Sequence, residues 1–115
     1  MSASASITFD DFLKVDVRVG RIVEVADFPA ARTPAYRLEV DFGPELGRRR
    51  SSAQLTQRYA AEDLVGRQIL AVINFPPRQI ASFFSEVLVL GVHDADGNVV
   101  LITPQAYVPP GGRLF

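Results

Sequence analysis

His93 is the single imidazole of the chain, and there is no cysteine. Thiol catalysis, a disulfide framework and a thiolate metal site are thereby excluded. General acid–base work by His93 would need an orienting partner at usable spacing, and none is legible around it. It stands where an apolar strand runs into a turn, and reads as a turn residue. Zinc normally takes three or four protein ligands, so no metal site is expected, and no phosphate-cradling glycine motif or other cofactor signature is present. Asp94-Ala95-Asp96-Gly97 begins like a calcium loop but lacks the later ligands and closing glutamate, so it reads as a hairpin turn. Asp10-Asp11 and Glu62-Asp63 stand at expected helix starts, where carboxylates suit the helix dipole. These residues point to a binder, not an enzyme.

The charges say what could be bound. The formal net charge is −1, which argues against a uniformly basic nucleic-acid binder. Between Pro44 and Ser82, however, six arginines (Arg48, Arg49, Arg50, Arg58, Arg67, Arg78) face three carboxylates (Glu45, Glu62, Asp63), a net of +3 that leaves −4 elsewhere. A run such as Arg48-Arg49-Arg50 is commonly a solvated face. Its functional reading is a barrel face where guanidinium groups hold the phosphates of a single strand, with unstacked bases on aromatics such as Phe75, Phe83 or Phe84. The stretch Asn74 to Ser85 supplies those three phenylalanines, together with Pro76 and Pro77, in what reads as a loop. Phe83 and Phe84 are adjacent, so on an extended chain they face opposite ways and one is left exposed. An exposed apolar loop of this kind suits a polypeptide contact at Phe75, Pro76, Pro77, Arg78, Phe83 and Phe84.

The elements that must position these residues are mostly strands. Thr8-Phe9-Asp10-Asp11 has the form of a capping box, which predicts a short helix. From Val15 to Val25 the pattern has period two, with Val15, Val17, Val19, Val23 and Val25 on one side and a bend or bulge expected at Gly20. Tyr36, Leu38, Val40 and Phe42 alternate with Arg37, Glu39 and Asp41 as a second strand. The arginine run opens a third, and Gln57 to Val65 reads as a short helix or irregular connection. A fourth spans Ile69 to Phe75 and a fifth Val87 to Leu90, which a turn at His93–Asn98 brings back into Val99–Ile102. Five or six strands with a kinked first one predict an all-β fold: a five-stranded Greek-key barrel of the oligonucleotide/oligosaccharide-binding (OB) type, with a short N-terminal helix and extra C-terminal strands.

With 115 residues, 48% hydrophobic and 22% charged, the chain suits one folded domain. We expect a mobile tail over 1–7 and a single domain over 8–115. No stretch has the length or apolar character of a signal peptide or membrane span, which predicts a cytoplasmic protein with no membrane insertion. Phe9, Phe12, Leu114 and Phe115 are apolar residues near the chain ends, where a monomer would leave them exposed, and they predict a homodimer seam.

Phe12-Leu13-Lys14-Val15-Asp16-Val17-Arg18-Val19-Gly20, Val40-Asp41-Phe42-Gly43, Asn74-Phe75-Pro76-Pro77-Arg78 and Ser85 together resemble the tRNA-binding domain family. Phe28-Pro29-Ala30-Ala31-Arg32, Ser51 to Thr56 and Ser85 to Gly91 are most similar to its CsaA-like branch of export-related chaperones. The likeness runs from about Phe12 to Leu114. It implies an OB fold, a homodimer built from the N-terminal helix and C-terminal segments, and no enzymatic activity. The partners it implies are unfolded or pre-export polypeptides, the secretion motor SecA and, in other branches, tRNA. By the same resemblance Asn74, Arg78 and Ser85 match polar positions of the family's nucleic-acid face, to which the charge map adds Arg48, Arg49 and Arg50. Three departures stand beside them: Glu86-Val87 where tRNA binders carry Gly-Met, Gln79 in place of a second cation, and Phe84 where a basic residue is common. Each removes positive charge or adds acidic or apolar character, which weakens a phosphate site and favours a polypeptide ligand.

Overall fold

A computed structural model describes residues 3–115. Of the tail expected over 1–7, Met1 and Ser2 lie outside the described residues, and 3–7 are exposed without regular structure. Helix α1 (Phe9–Leu13) follows. Its capping box forms as the sequence requires: Thr8 Oγ1 accepts from the Asp11 N–H at 3.1 Å, and Asp11 Oδ2 accepts from the Thr8 N–H at 3.2 Å. That bond, with one from Lys14, holds the Asp11 carboxyl below its ordinary pKa, so the box is intact above the usual carboxylate range and opens as pH falls through the lowered value.

The barrel is built from β1 (Val17–Asp27), β2 (Tyr36–Asp41), β3 (Arg48–Ala53), β4 (Gln68–Val72) and β7 (Leu88–Val89), in the order β3-β2-β1-β4-β7. All pairings are antiparallel. It is a nearly closed five-stranded OB barrel, as the pattern predicts, with the short helix α2 (Ala61–Leu64) between β3 and β4. Ile22, Leu38, Val40, Phe42, Leu64 and Ile69 fill its core at 0–1% exposure.

Strand β1 departs from strict alternation. It begins at Val17, and its register with β2 shifts between Ile22 and Glu24, so Ile22 is buried where the simple pattern turned Val23 inward. The register shift therefore lies at Val23, while the burial alternation changes phase at Val19–Gly20. Gly20 answers a different need: a Cβ there would stand 2.5 Å from Val40 Cγ1 and 2.7 Å from the Phe42 ring. Only a glycine lets β1 cross the core this closely.

Two short hairpins complete the chain. The first, β5 (Arg78–Ile80) with β6 (Phe83–Ser85), corrects the loop expected between Asn74 and Ser85. Three-residue strands are too short to declare a period, and the two-residue turn is made by Ala81 at φ 54° without a glycine to mark it. The second joins β8 (Gly91–His93) to β9 (Val99–Leu101). Asp94 ties its turn, accepting from the Asp96 and Asn98 N–H groups at 2.9 Å each, so the acidic pair serves as a turn. Beyond it, the C-terminal segment lies along β1, with Val19 N–H donating to Gly112 O and Leu114 N–H to Val17 O. Arg18 braces that segment, reaching Gly111 O at 3.0 Å while held by Asp16 at 2.6 Å.

Candidate polypeptide and nucleic-acid surfaces

Strand alternation divides the arginine run. Arg48 and Arg50 point outward from β3, and Arg49 points the other way, donating to Ile73 O at 3.2 Å. Neither outward arginine is free of a carboxylate. Arg48 reaches Glu39 at 3.3 Å across the sheet, and Arg50 stands 3.8 Å from Glu86. Register places Glu24, Glu39 and Arg50 in one row, so two carboxylates interrupt the basic face.

The polar positions matched by resemblance have backbone partners. Asn74 Oδ1 accepts from the Asp16 N–H at 3.0 Å while its Nδ2 donates to Lys14 O at 2.7 Å, tying the end of β4 to the start of β1. Ser85 Oγ accepts from the Ser52 N–H at 3.0 Å. Glu86 Oε1 accepts from the Arg50 N–H at 3.0 Å, and the Glu86 N–H donates to Arg50 O at 2.8 Å. Buried Ser51 donates to Val87 O at 3.0 Å. The barrel thus closes between β3 and residues 85–87 on a seam in which side chains stand in for part of the backbone ladder. Arg78, on β5, is exposed, and among the described residues it makes no ion pair.

The aromatics separate as alternation requires. Phe83 is 7% exposed and meets Phe28 edge-on at 5.3 Å, whereas Phe84 is 45% and Phe75 53% exposed. Pro76 and Pro77 are exposed between β4 and β5. Arg50 lies 5.1 Å over Phe83 and Arg37 5.7 Å over Phe28, so each ring of the edge-on pair carries a guanidinium. Phe83 is therefore set beneath Arg50, forming part of a shallow depression of about 230 Å³, while Phe75 and Phe84 stand in solvent. The Arg37–Phe28 half of this arrangement has no sequence signature, since loop and strand meet only in the fold.

A larger groove, about 520 Å³, runs between the loop after β1, the end of β3, the face of β5 bearing Arg78 and Ile80, and the β8–β9 hairpin. His93 lines it with no ligand cluster, for among the described residues no three metal-ligating side chains converge. Leu88 and Val92, half-exposed, form its apolar wall. Alternation beside buried Val87 was the one signal that Leu88 faces outward; Arg32 on the opposite loop carried none.

At the chain ends, Phe9 and Phe12 stack at 6.1 Å, and Arg113 donates to Leu13 O at 2.8 Å. The two termini consequently lie side by side. Phe12 is half-buried, whereas Phe9, Leu114 and Phe115 are exposed together with Ile7, Leu13 and Val15.

Comparisons with known proteins agree with this architecture. Residues 17–113 match the family described as "Putative tRNA binding domain". The solved structure of chaperone CsaA from Bacillus anthracis is 51% identical with a TM-score of 0.90, covering 96% of this chain and 100% of that one. The CsaA chaperone protein from Picrophilus torridus is 50% identical with a TM-score of 0.90 over the same shares. Methionine–tRNA ligase of Porphyromonas gingivalis is 40% identical over 108 residues, 94% of this chain; the chain spans 15% of that relative's length. The family match over residues 17–113, on an OB barrel, makes this chain a member of the tRNA-binding domain family.

Proposed function

We propose that this protein is a non-enzymatic, cytoplasmic chaperone that binds unfolded or pre-export polypeptides, acting as one OB-type domain over 8–115. One observation carries the reading: the outward arginines of β3 are paired with Glu39 and Glu86, while Phe75 and Phe84 stand exposed. A surface whose cations already face carboxylates gains less from phosphate, and exposed rings suit non-native chain. The likeness to CsaA chaperones over nearly the whole of both chains supports the same reading. A holdase needs no chemistry, because it lowers the free concentration of unfolded chain by mass action. Phe75, Pro76, Pro77 and Phe84 make the contact, Arg78 edges it, and Phe83 supports it from beneath. The secretion motor SecA, implied by the family resemblance, is the downstream partner in this scheme.

Light scattering from a chemically denatured client should be suppressed at equimolar dimer. The double variant Phe75→Ser/Phe84→Ser should bind client about tenfold more weakly, the effect of removing contact aromatics. No suppression by the native protein would sink the reading.

The family match favours a second reading, a tRNA-binding module acting in trans through Arg48, Arg49, Arg50, Asn74, Arg78 and Ser85. Its signature is RNA affinity that falls steeply with salt and flattens when the arginines are removed.

In either role the protein acts as a homodimer through Phe9, Phe12, Leu114 and Phe115, of which Phe9, Leu114 and Phe115 are exposed and Phe12 is half-buried. Sedimentation at micromolar concentration should give twice the 12.6 kDa chain mass, and Phe9→Glu/Leu114→Glu should give the single chain. A native monomer refutes it.

A further inference from the structure

The large groove differs in charge from the β3 face. Arg32 and Arg78 line it, and His93 stands on its β8 side. Among the described residues its lining holds no carboxylate, and neither arginine makes an ion pair. This contrasts with the β3 face, where carboxylates meet both outward arginines. Ile80, Leu88 and Val92 form an apolar wall, the last two at 49% and 55% exposure, and the uncharged Thr33, Ser52 and Gln54 line the side toward β3 and the loop after β1. The groove therefore suits a ligand that sets apolar groups on that wall and negative charge on the two arginines. The lining holds no phenylalanine or tyrosine and offers a base one ring, the His93 imidazole, a poorer platform than the successive aromatics on which single-stranded nucleic acid stacks.

We infer that this groove is a peptide subsite selective for extended segments in which apolar residues alternate with Asp or Glu. In an extended segment successive side chains point to opposite sides, so apolar groups can meet Leu88 and Val92 while carboxylates reach Arg32 and Arg78. The inference rests on the chaperone reading and adds to it a charge preference in a groove that meets the phenylalanine contact at Arg78. Basic segments are disfavoured here because their charge meets unpaired guanidiniums at close range.

The test compares labelled synthetic peptides of Leu–Glu, Leu–Gln and Leu–Lys repeats by fluorescence anisotropy on the full protein. At low salt the Leu–Glu peptide should bind about tenfold tighter than the Leu–Lys peptide, and the gap should close at high salt. Arg32→Glu/Arg78→Glu should invert the order, and the milder Arg32→Gln/Arg78→Gln should erase it. Equal or tighter binding of the Leu–Lys peptide by the native protein overturns the inference, as does a preference that survives both variants. Displacement of the Leu–Glu peptide by a uridine oligonucleotide at equal concentration also overturns it, assigning the groove to phosphate. If no peptide binds while client aggregation is still suppressed, the groove assignment falls and the chaperone reading stands. Loss of both removes both.

Discussion

Phe42→Ala is expected to lower the unfolding free energy by about 3–5 kcal/mol, the cost of emptying an aromatic site in a closed core. Phe42 is 1% exposed and meets the bare backbone of Gly20. The two positions are halves of one contact: the ring occupies the space that a side chain on β1 would take. Gly20→Ala should therefore cost about 1–3 kcal/mol, because the added methyl is directed at Val40 and Phe42, both fully buried. In a Phe42→Leu background part of that conflict disappears, and the same substitution should cost at least about 0.5 kcal/mol less. Urea unfolding of the four proteins measures the coupling. Strict additivity, or a Phe42→Ala cost below about 1 kcal/mol, would show that this crossing does not govern packing.

Ser51→Ala is expected to cost about 1 kcal/mol, the net contribution of one buried hydrogen bond whose acceptor keeps a second, more distant donor. Ser51 is the single buried polar residue of the described core, and its hydroxyl donates to Val87 O across the barrel seam. Removing it cuts the bond across the seam and leaves that carbonyl with the Ser85 hydroxyl at 3.4 Å. The flanking seam bonds, Ser85 to the Ser52 N–H and Glu86 to the Arg50 N–H, are nearer to water and should lose less when cut. Native-state hydrogen exchange should show the Arg50 and Ser52 amides opening faster in Ser51→Ala, with β1 amides little changed. Unchanged stability and exchange would mean that the seam does not depend on this bond.

The seam also explains why site residues were harder to read than strands. Alternation in Tyr36-Arg37-Leu38-Glu39-Val40 assigns faces correctly, because period two is fixed by backbone geometry within one strand. The same logic places Phe83 and Phe84 on opposite faces. It cannot tell that Arg48 faces Glu39, that Arg50 and Ser52 meet Glu86 and Ser85 some thirty-odd positions on, or that Asn74 ties down Lys14 across |i−j| = 60. Each of Arg48, Arg50, Asn74 and Ser85 is suited by type to hold a phosphate. Whether it is available depends on partners that arrive only with the fold.

By itself the sequence determined the strand alternation, the capped first helix, the family, and the poverty in catalytic and metal-ligating groups, since these are properties of residue type and local spacing. Tertiary structure decided which arginines retain an unpaired charge, which phenylalanines stay in solvent, and that Arg32, Arg78, Leu88 and Val92 line one groove. The physical reason is that exposure and charge pairing are set by contacts between segments far apart in the chain, and no single segment carries that information.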